Sequence, residues 1–255
     1  MPEFLLFLPM YVAAFLFGIV IGSFLNVCIY RIPKKENIAK VRSHCMSCGY
    51  RLAWYDLVPL FSYLCLRGKC RKCGAHLSVQ YPLIEAANGL GYVLILAVNG
   101  VNIESLLYML LFSALLALSV IDFRTYEIPV GFNIFIGFLG LVRLITDYRN
   151  WLLYVIGAVS VSLFLYVLYL VSRGRAIGGG DIKLMAACGL LTGWKCSILA
   201  FCIGCVLGGF IHLIRMKVSH KDRVLAMGPY LSAGVMISAL WGEEIISWYL
   251  AYCGF

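Results

Sequence analysis

The stretch WLLYVIGAVSVSLFLYVLYLV occupies residues 151–171 and contains no charged side chain. The hydrocarbon core of a bilayer is about 30 Å thick, and a helix needs roughly 20 apolar residues to cross it. This stretch therefore has the length and composition of a transmembrane helix. The rest of the chain is similar: 62% of its 255 residues are hydrophobic and only 13% are charged. The mean hydropathy of +0.91 excludes a soluble globule with a polar surface.

Eight stretches of this general kind occur along the chain. We expect helices rather than strands, because backbone exposed to lipid must satisfy its own hydrogen bonds and the runs lack the alternation of a membrane barrel. The sequence predicts an all-α polytopic membrane protein with about eight transmembrane helices. The stretches are Phe4 to Tyr30, Pro82 to Val98, Ser105 to Ile121, Ile128 to Ile145, Trp151 to Val171, Asp181 to Leu191, Cys196 to Ile214 and Met227 to Leu240.

The distribution of Lys and Arg predicts the orientation, since these residues are retained on the cytoplasmic side. Of the 21 basic residues, all but Arg143, Arg149 and Lys195 fall in alternate connections that begin with the loop after the first stretch. Both termini should therefore lie outside, with the first loop in the cytosol. The net charge of +9 then reflects topology and attraction to anionic lipid, and we expect no nucleic-acid partner.

The first loop, residues 31–81, carries CMSC at 45–48 and CRKC at 70–73. Two such pairs can close a tetrahedral four-cysteine zinc site, which orders a segment too small for its own hydrophobic core. The alternatives are two disulfides or four unrelated thiols, and a reducing cytosol argues against disulfides. We expect a structural Zn²⁺ held by Cys45, Cys48, Cys70 and Cys73.

Two carboxylates stand at the ends of apolar stretches, where ionisable groups are functional candidates. Asp122 ends the third stretch in ALSVIDFRTYEIP, and Asp181 begins the sixth in GGGDIKL. The predicted topology puts both at one depth on the cytoplasmic side, so they are able to meet. An ordinary helix-end carboxylate would explain Asp181 alone through the helix dipole. It explains Asp122 poorly, because that residue lies at the unfavourable C-terminal end.

Two carboxylates that approach closely share a proton, because both cannot ionise easily. The ionised Asp can take a proton from water as it attacks a peptide carbonyl, while its protonated partner donates to the carbonyl oxygen. Gly178, Gly179 and Gly180 would let the backbone bend and approach an extended substrate. Lys183 either biases the ionisation of the pair or, as we favour, follows the charge rule for cytoplasmic loops.

Several segments together resemble the type IV prepilin peptidases, which are intramembrane aspartyl proteases of the GxGD type. The matching segments are GSFLNVCIYRIP at 22–33, RSHCMSC with WYDLVP and LRGKCRKC in the loop, YPLIE at 81–85, IDFRTYEIP at 121–129 and GGGD at 178–181. The resemblance covers nearly the whole chain. Met46, Leu57 and Val130 depart from the family pattern without removing a candidate ligand or acid.

The resemblance implies that the chain cleaves the basic leader from type IV prepilins, or from the pseudopilins of type II secretion, at the cytoplasmic face of the bacterial inner membrane. It implies Asp122 and Asp181 as catalytic residues and the four cysteines as zinc ligands. The zinc loop implies a second activity, methylation of the new N-terminal amine by S-adenosylmethionine. Glu85, at the start of the second stretch, is a weak candidate for binding the cofactor or the substrate.

The resulting organisation is a first transmembrane helix at 1–30, a cytoplasmic zinc loop at 31–81 and a protease core of about seven helices at 82–255. A multi-pass transporter with a membrane-embedded acidic site is the main alternative, and a zinc-loop adaptor without catalysis is a third hypothesis. A carrier should hold its acids near the bilayer midplane. Asp122 and Asp181 instead adjoin basic loops at one face, which favours the peptidase. The sequence gives no indication of oligomeric state.

Overall fold

The computed structural model describes residues 2–38, 42–175, 177–218 and 225–254. Lys40, Lys221 and Arg223, three of the basic residues assigned above to the cytosol, lie outside the described residues, as do the first and last residues. Within the described part the chain is all-α, as predicted. It forms no β-strand there, only isolated bridges between His44 and Arg51 and between Lys69 and His76.

Eight of the described α-helices have 14 or more residues, and each lies over one of the eight predicted stretches. A single short helix, α2, lies in the loop between the first two of them. Short 3₁₀ turns occur at Trp54–Leu57 and Tyr148–Asn150. The helices are α1 (Pro2–Arg31), α2 (Phe61–Cys65), α3 (Gln80–Asn99), α4 (Ile103–Thr125), α5 (Val130–Thr146), α6 (Trp151–Val171), α7 (Gly179–Thr192), α8 (Trp194–Val218) and α9 (Gly228–Tyr252).

Five of the described helices are long and apolar enough to cross a membrane: α1, α3, α4, α6 and α8. Helix α5 is apolar but has 17 residues, and α7 has 14. Helix α9 has 25 residues but carries Glu243 and Glu244 and is not among the five. The structure thus supports a multi-helix membrane protein, and the full number of eight spans remains a prediction.

The chain divides into two compact units, Met1–Ser113 and Ala114–Phe255. In the first unit, α1 packs along α3 through small residues. A Cβ atom at Gly18 would lie 2.7 Å from the Cα of Gly89, and one at Gly22 would lie 2.7 Å from the Cα of Glu85. Such close approach is typical of helix pairs in membranes. The Asn88 side chain adds a hydrogen bond of 2.8 Å to the Gly18 carbonyl oxygen.

Helix α7 is the centre of the second unit. It packs against α5, α6, α8 and α9, and α8 also packs along α9. Its side chains Leu184, Met185 and Leu191 are completely buried. A helix that is apolar on every side is buried in this way. The helix that follows the segment GGGD is therefore held by neighbours on several sides.

Candidate functional site

Asp122 lies in the last turn of α4 and is only 4% exposed. Its Oδ2 atom accepts a hydrogen bond of 2.9 Å from the backbone N–H of Gly228, the first residue of α9. A helix N-terminus carries free N–H groups and a partial positive charge, which stabilise a carboxylate. The unfavourable position of Asp122 at the end of its own helix is thus offset by the start of another helix.

Asp181 lies in the first turn of α7 and is partly buried. Gly178 precedes the helix in an extended conformation, and its carbonyl oxygen accepts a hydrogen bond of 3.2 Å from the Asp181 N–H. The negative charge of Asp122 acts electrostatically on the Asp181 carboxylate. The structure therefore brings the two acids to the same end of the second unit.

The three glycines before Asp181 have different surroundings. A Cβ atom at Gly180 would lie 2.9 Å from the Cβ of Ile128, so the segment that leads into α5 touches the start of α7 there. A Cβ at Gly178 would lie 3.1 Å from Asp181 Oδ2, whereas one at Gly179 would meet nothing within 4 Å. Lys183 is exposed. A side chain at Gly178 would therefore crowd Asp181, and one at Gly180 would push against Ile128.

The four cysteines of the loop form one cluster in the first unit. Their sulfur atoms all lie within 4.8 Å of one another, and the sulfurs of Cys45 and Cys73 are 3.9 Å apart. Zinc–sulfur bonds of about 2.3 Å in a tetrahedron require sulfur–sulfur distances of about 3.8 Å. The cluster therefore fits a tetrahedral metal ion, and none of the four is in a disulfide.

The two halves of the cluster have the same backbone design. In the first half, the Cys45 N–H donates to the Tyr50 carbonyl oxygen at 2.8 Å, and the Gly49 N–H donates to the Cys45 carbonyl oxygen at 2.9 Å. In the second half, the Cys70 N–H donates to the Ala75 carbonyl oxygen and the Gly74 N–H to the Cys70 carbonyl oxygen, at the same two distances. Gly49 and Gly74 have φ of +67° and +71°, which glycine adopts readily. Backbone N–H groups of Cys48 and Ser47 lower the pKa of the Cys45 thiol to about 6, whereas hydrogen bonds to the other cysteines raise the pKa of Cys73 to about 11. Cys45 is therefore the thiol of the two that ionises more readily to the thiolate that binds metals.

Two acidic side chains hold the loop around this cluster. Asp56 in the 3₁₀ turn accepts a 2.8 Å hydrogen bond from Nε of Arg71, a residue that lies between Cys70 and Cys73 in the sequence. That hydrogen bond raises the pKa of Arg71. Glu85 of α3 is buried, and its Oε2 accepts a 2.8 Å bond from the N–H of Leu60. Leu60 has φ of +59°, an uncommon value for a residue with a side chain. Glu85 thus fixes a strained point of the loop.

Sequence reasoning missed three glycines that the structure places in these sites. Gly228 forms the only hydrogen bond to the Asp122 carboxylate among the described residues. The sequence feature that could have identified it is the Gly-Pro pair at 228–229, which starts an apolar stretch and is typical of a helix N-terminus. Gly49 and Gly74 each follow the second cysteine of a pair, and this repeated Cys-x-x-Cys-Gly was visible in the sequence.

Comparisons with known proteins match nearly the whole chain. Residues 16–99 match the family described as Bacterial Peptidase A24 N-terminal domain, and residues 109–213 match the Type IV leader peptidase family. Relatives named prepilin leader peptidase/N-methyltransferase come from Pseudomonas putida at 31% identity, covering 93% of each chain, and from Aeromonas hydrophila at 32%, covering 92% of each. A third, from Bacillus subtilis, is 32% identical over 92% of this chain and 96% of its own. No solved structure matches.

The fold and the two sites define a helical membrane protein with two acids at helix ends and a cluster of four cysteines that could hold a metal ion. The chain belongs to the type IV leader peptidase family. The family resemblance predicted from the sequence motifs is thereby confirmed.

Proposed function

We propose that this protein cleaves the leader peptide from type IV prepilins or pseudopilins by aspartic-protease chemistry and then methylates the new N-terminal amine. The observation that carries the proteolytic part is that both acids lie at helix ends of the second unit, Asp122 in the last turn of α4 and Asp181 in the first turn of α7, where their charges interact. Each carboxylate lies against a glycine backbone, Gly228 and Gly178 respectively. The names of the relatives, which combine leader peptidase with N-methyltransferase, support both activities.

In the proposed reaction the pair of acids holds one proton. The ionised carboxylate removes a proton from a water molecule, whose oxygen attacks the carbonyl carbon of the scissile peptide. The protonated carboxylate gives its proton to the carbonyl oxygen, which forms a tetrahedral diol. The first acid then gives its proton to the leaving amine nitrogen as the C–N bond breaks, and the second acid takes a proton back from a diol hydroxyl as the new carboxyl group forms. The N–H of Gly228 keeps its hydrogen bond to Asp122 Oδ2 and thereby fixes the orientation of that carboxylate.

The position of the acids suits a prepilin, which has a short basic leader followed by an apolar helix. Its scissile bond falls at the membrane surface. Asp122 is three residues from the end of α4 and Asp181 is the third residue of α7, so both lie close to helix ends. The transporter alternative is not favoured, because the matching families and relatives are peptidases.

The proposal includes the membrane arrangement expected from the sequence. About eight helices cross the bacterial cytoplasmic membrane, with the termini outside and the zinc loop and active site at the cytoplasmic face. The first helix (1–30), the loop (31–81) and the protease core (82–255) keep separate roles. Arg143, Arg149 and Lys195 lie near the ends of α5, α6 and α8 that are remote from the acids, which supports this orientation.

We propose zinc as the metal, bound by Cys45, Cys48, Cys70 and Cys73. When bound there, it orders the loop and leaves no open ligand position for catalysis. S-adenosylmethionine is the proposed methyl donor. The described residues do not single out its binding site, and the carboxylate of Glu85, the candidate named above, already accepts the Leu60 N–H.

The two activities are tested together with the purified full-length protein in lipid vesicles and a purified prepilin. Mass spectrometry of the products is expected to show the free leader and a mature chain, with an added methyl group only when S-adenosylmethionine is present. Recovery of the intact prepilin alone after prolonged incubation would contradict the proposed proteolysis.

A further inference from the structure

Three buried polar side chains of the second unit lack a hydrogen-bond partner within the described residues: Asn133, Ser197 and Ser232. They are only 7%, 1% and 5% exposed, and both amide atoms of Asn133 are unpaired. Buried polar groups are almost always paired, because an unpaired one carries its full desolvation penalty. Each of the three therefore requires an explanation.

Ser232 lies one helical turn beyond Gly228 on α9. A Cβ atom at Gly228 would point at Asp122 Oδ2, and residues four apart share a face of a helix, so Ser232 lies on the face of α9 that meets Asp122. The rise of about 1.5 Å per residue places it about 6 Å further along α9. Its position is thus close to the acid pair but deeper in the unit.

Asn133 has the corresponding position on α5. Ile128, just before this helix, touches Gly180 beside Asp181, and Gly140 further along α5 approaches Leu190 of α7. Asn133 and Gly140 are seven residues apart and share a face. The Asn133 amide therefore faces α7 between these two contacts, within about one turn of the start of α5.

A protease in an apolar environment must provide hydrogen-bond partners for the main chain of its substrate, and Asn133 and Ser232 are able to do so. Cleavage requires the substrate helix to open, which frees main-chain N–H and C=O groups, and no water in the apolar core replaces the lost bonds. The enzyme must then supply partners on the membrane side of the scissile bond. An amide both donates and accepts, and so does a hydroxyl.

We infer that the Asn133 amide and the Ser232 hydroxyl bind main-chain groups of the opened substrate on the membrane side of the scissile bond. They are substrate-binding residues held unpaired until the substrate arrives. The inference rests on the proposed function, because it requires a peptide in this site.

Ser197 provides a matched comparison within the same unit. It is as buried and as unpaired as Ser232, but it lies in the first turn of α8, just after α7 ends at Thr192. Thr192 is eleven residues from Asp181, or about 16 Å along the helix. Ser197 is therefore too far from the acids to bind the substrate main chain beside the scissile bond.

The test measures prepilin cleavage and thermal unfolding for Asn133→Leu, Ser232→Ala and Ser197→Ala in the full-length protein. Removing an unpaired buried polar group should leave Tm unchanged or raise it in all three variants. We expect kcat/KM to fall about tenfold for Asn133→Leu and Ser232→Ala, which each lose a substrate hydrogen bond, and to stay unchanged for Ser197→Ala. A merely structural role would lower Tm together with activity, so a loss of activity at unchanged Tm indicates substrate binding.

Wild-type cleavage rates in Asn133→Leu and Ser232→Ala would overturn the inference, as would a fall in Tm that accompanies the fall in activity. A fall in kcat/KM in only one of these two variants overturns the inference for the other residue. If Asn133→Leu does not fold, Asn133→Ser replaces it in the same comparison. Wild type and Asp122→Ala are assayed alongside. If the wild type does not cleave the prepilin, or if Asp122→Ala does, the result counts against the proposed function itself rather than against these two residues.

Discussion

The backbone N–H of Gly228 donates to Asp122 Oδ2 at 2.9 Å, and a Cβ atom at position 228 would lie 2.7 Å from the same oxygen. The first residue of α9 and the last turn of α4 are thus in contact across 106 residues of sequence. Space requires the glycine, whereas the hydrogen bond requires only a backbone N–H, which any residue except proline would supply. The contact gives the acid at the end of α4 the environment that its own helix does not supply.

Gly228→Ala is expected to lower cleavage by about 100-fold, because the methyl group displaces the Asp122 carboxylate and small displacements of reacting groups have effects of this size. Gly209→Ala on α8 is the control, since a Cβ there would meet nothing within 4 Å. Initial rates of leader release measure both. Equal rates in the two variants would show that the position of the carboxylate does not depend on Gly228.

The glycines before Asp181 are expected to differ in their tolerance of alanine. Gly180→Ala pushes against Ile128 and should reduce cleavage about tenfold, while Gly179→Ala faces open space and should leave the rate close to that of wild type. Gly178→Ala should fall between them, because the new methyl would lie 3.1 Å from Asp181 Oδ2. The comparison uses the same leader-release assay at equal amounts of folded protein. A larger effect at 179 than at 180 would contradict the packing described for α5 and α7.

Removal of the metal should affect the two activities differently. The double variant Cys45→Ser, Cys48→Ser removes half of the cluster, so bound zinc, measured by elemental analysis, is expected to disappear. We expect transfer of a labelled methyl group to a pre-cleaved substrate to be lost and leader cleavage to persist. Cys65→Ser, which changes a loop cysteine outside the cluster, is the control and should retain zinc. Zinc retained by the double variant would show that these thiols are not its ligands.

Glu85 is expected to act through the backbone of the loop rather than through its charge. Glu85→Gln keeps an oxygen that accepts the Leu60 N–H, whereas Glu85→Leu does not. Methyl transfer should therefore be nearly normal in the first variant and strongly reduced in the second. Should Glu85→Gln lose activity as completely as Glu85→Leu, the negative charge itself is required, as for a residue that binds the cofactor.

Much of the fold was predictable because it follows from local sequence. Uninterrupted apolar runs such as residues 151–171 already specify helices, and all eight predicted stretches coincide with one. The boundaries moved where turn chemistry decides them: α7 begins at Gly179 rather than Asp181, because Gly178 is the extended residue before the helix. The short α2 at Phe61–Cys65 was not predicted, since five residues carry too little periodicity to be recognised.

The candidate site was predictable where a residue type or spacing reports the chemistry. The paired cysteines indicated a metal site, and the four sulfurs are together; the two acids were selected because carboxylates are rare in apolar segments. The contacts that shape the site are long-range, such as Gly228 with Asp122 and Glu85 with Leu60. A single sequence does not specify such pairs, because they depend on how distant helices pack.

The central claim is that Asp122 and Asp181 act as one catalytic pair, and cleavage of a purified prepilin in vesicles by Asp122→Asn and Asp181→Asn tests it most directly. Asparagine keeps the size of each side chain but cannot exchange a proton at neutral pH. Both variants should bind zinc like wild type, which verifies the fold of the first unit, and should show unchanged Tm. We predict that leader cleavage is abolished in each. Cleavage at the wild-type rate by either variant would contradict the account.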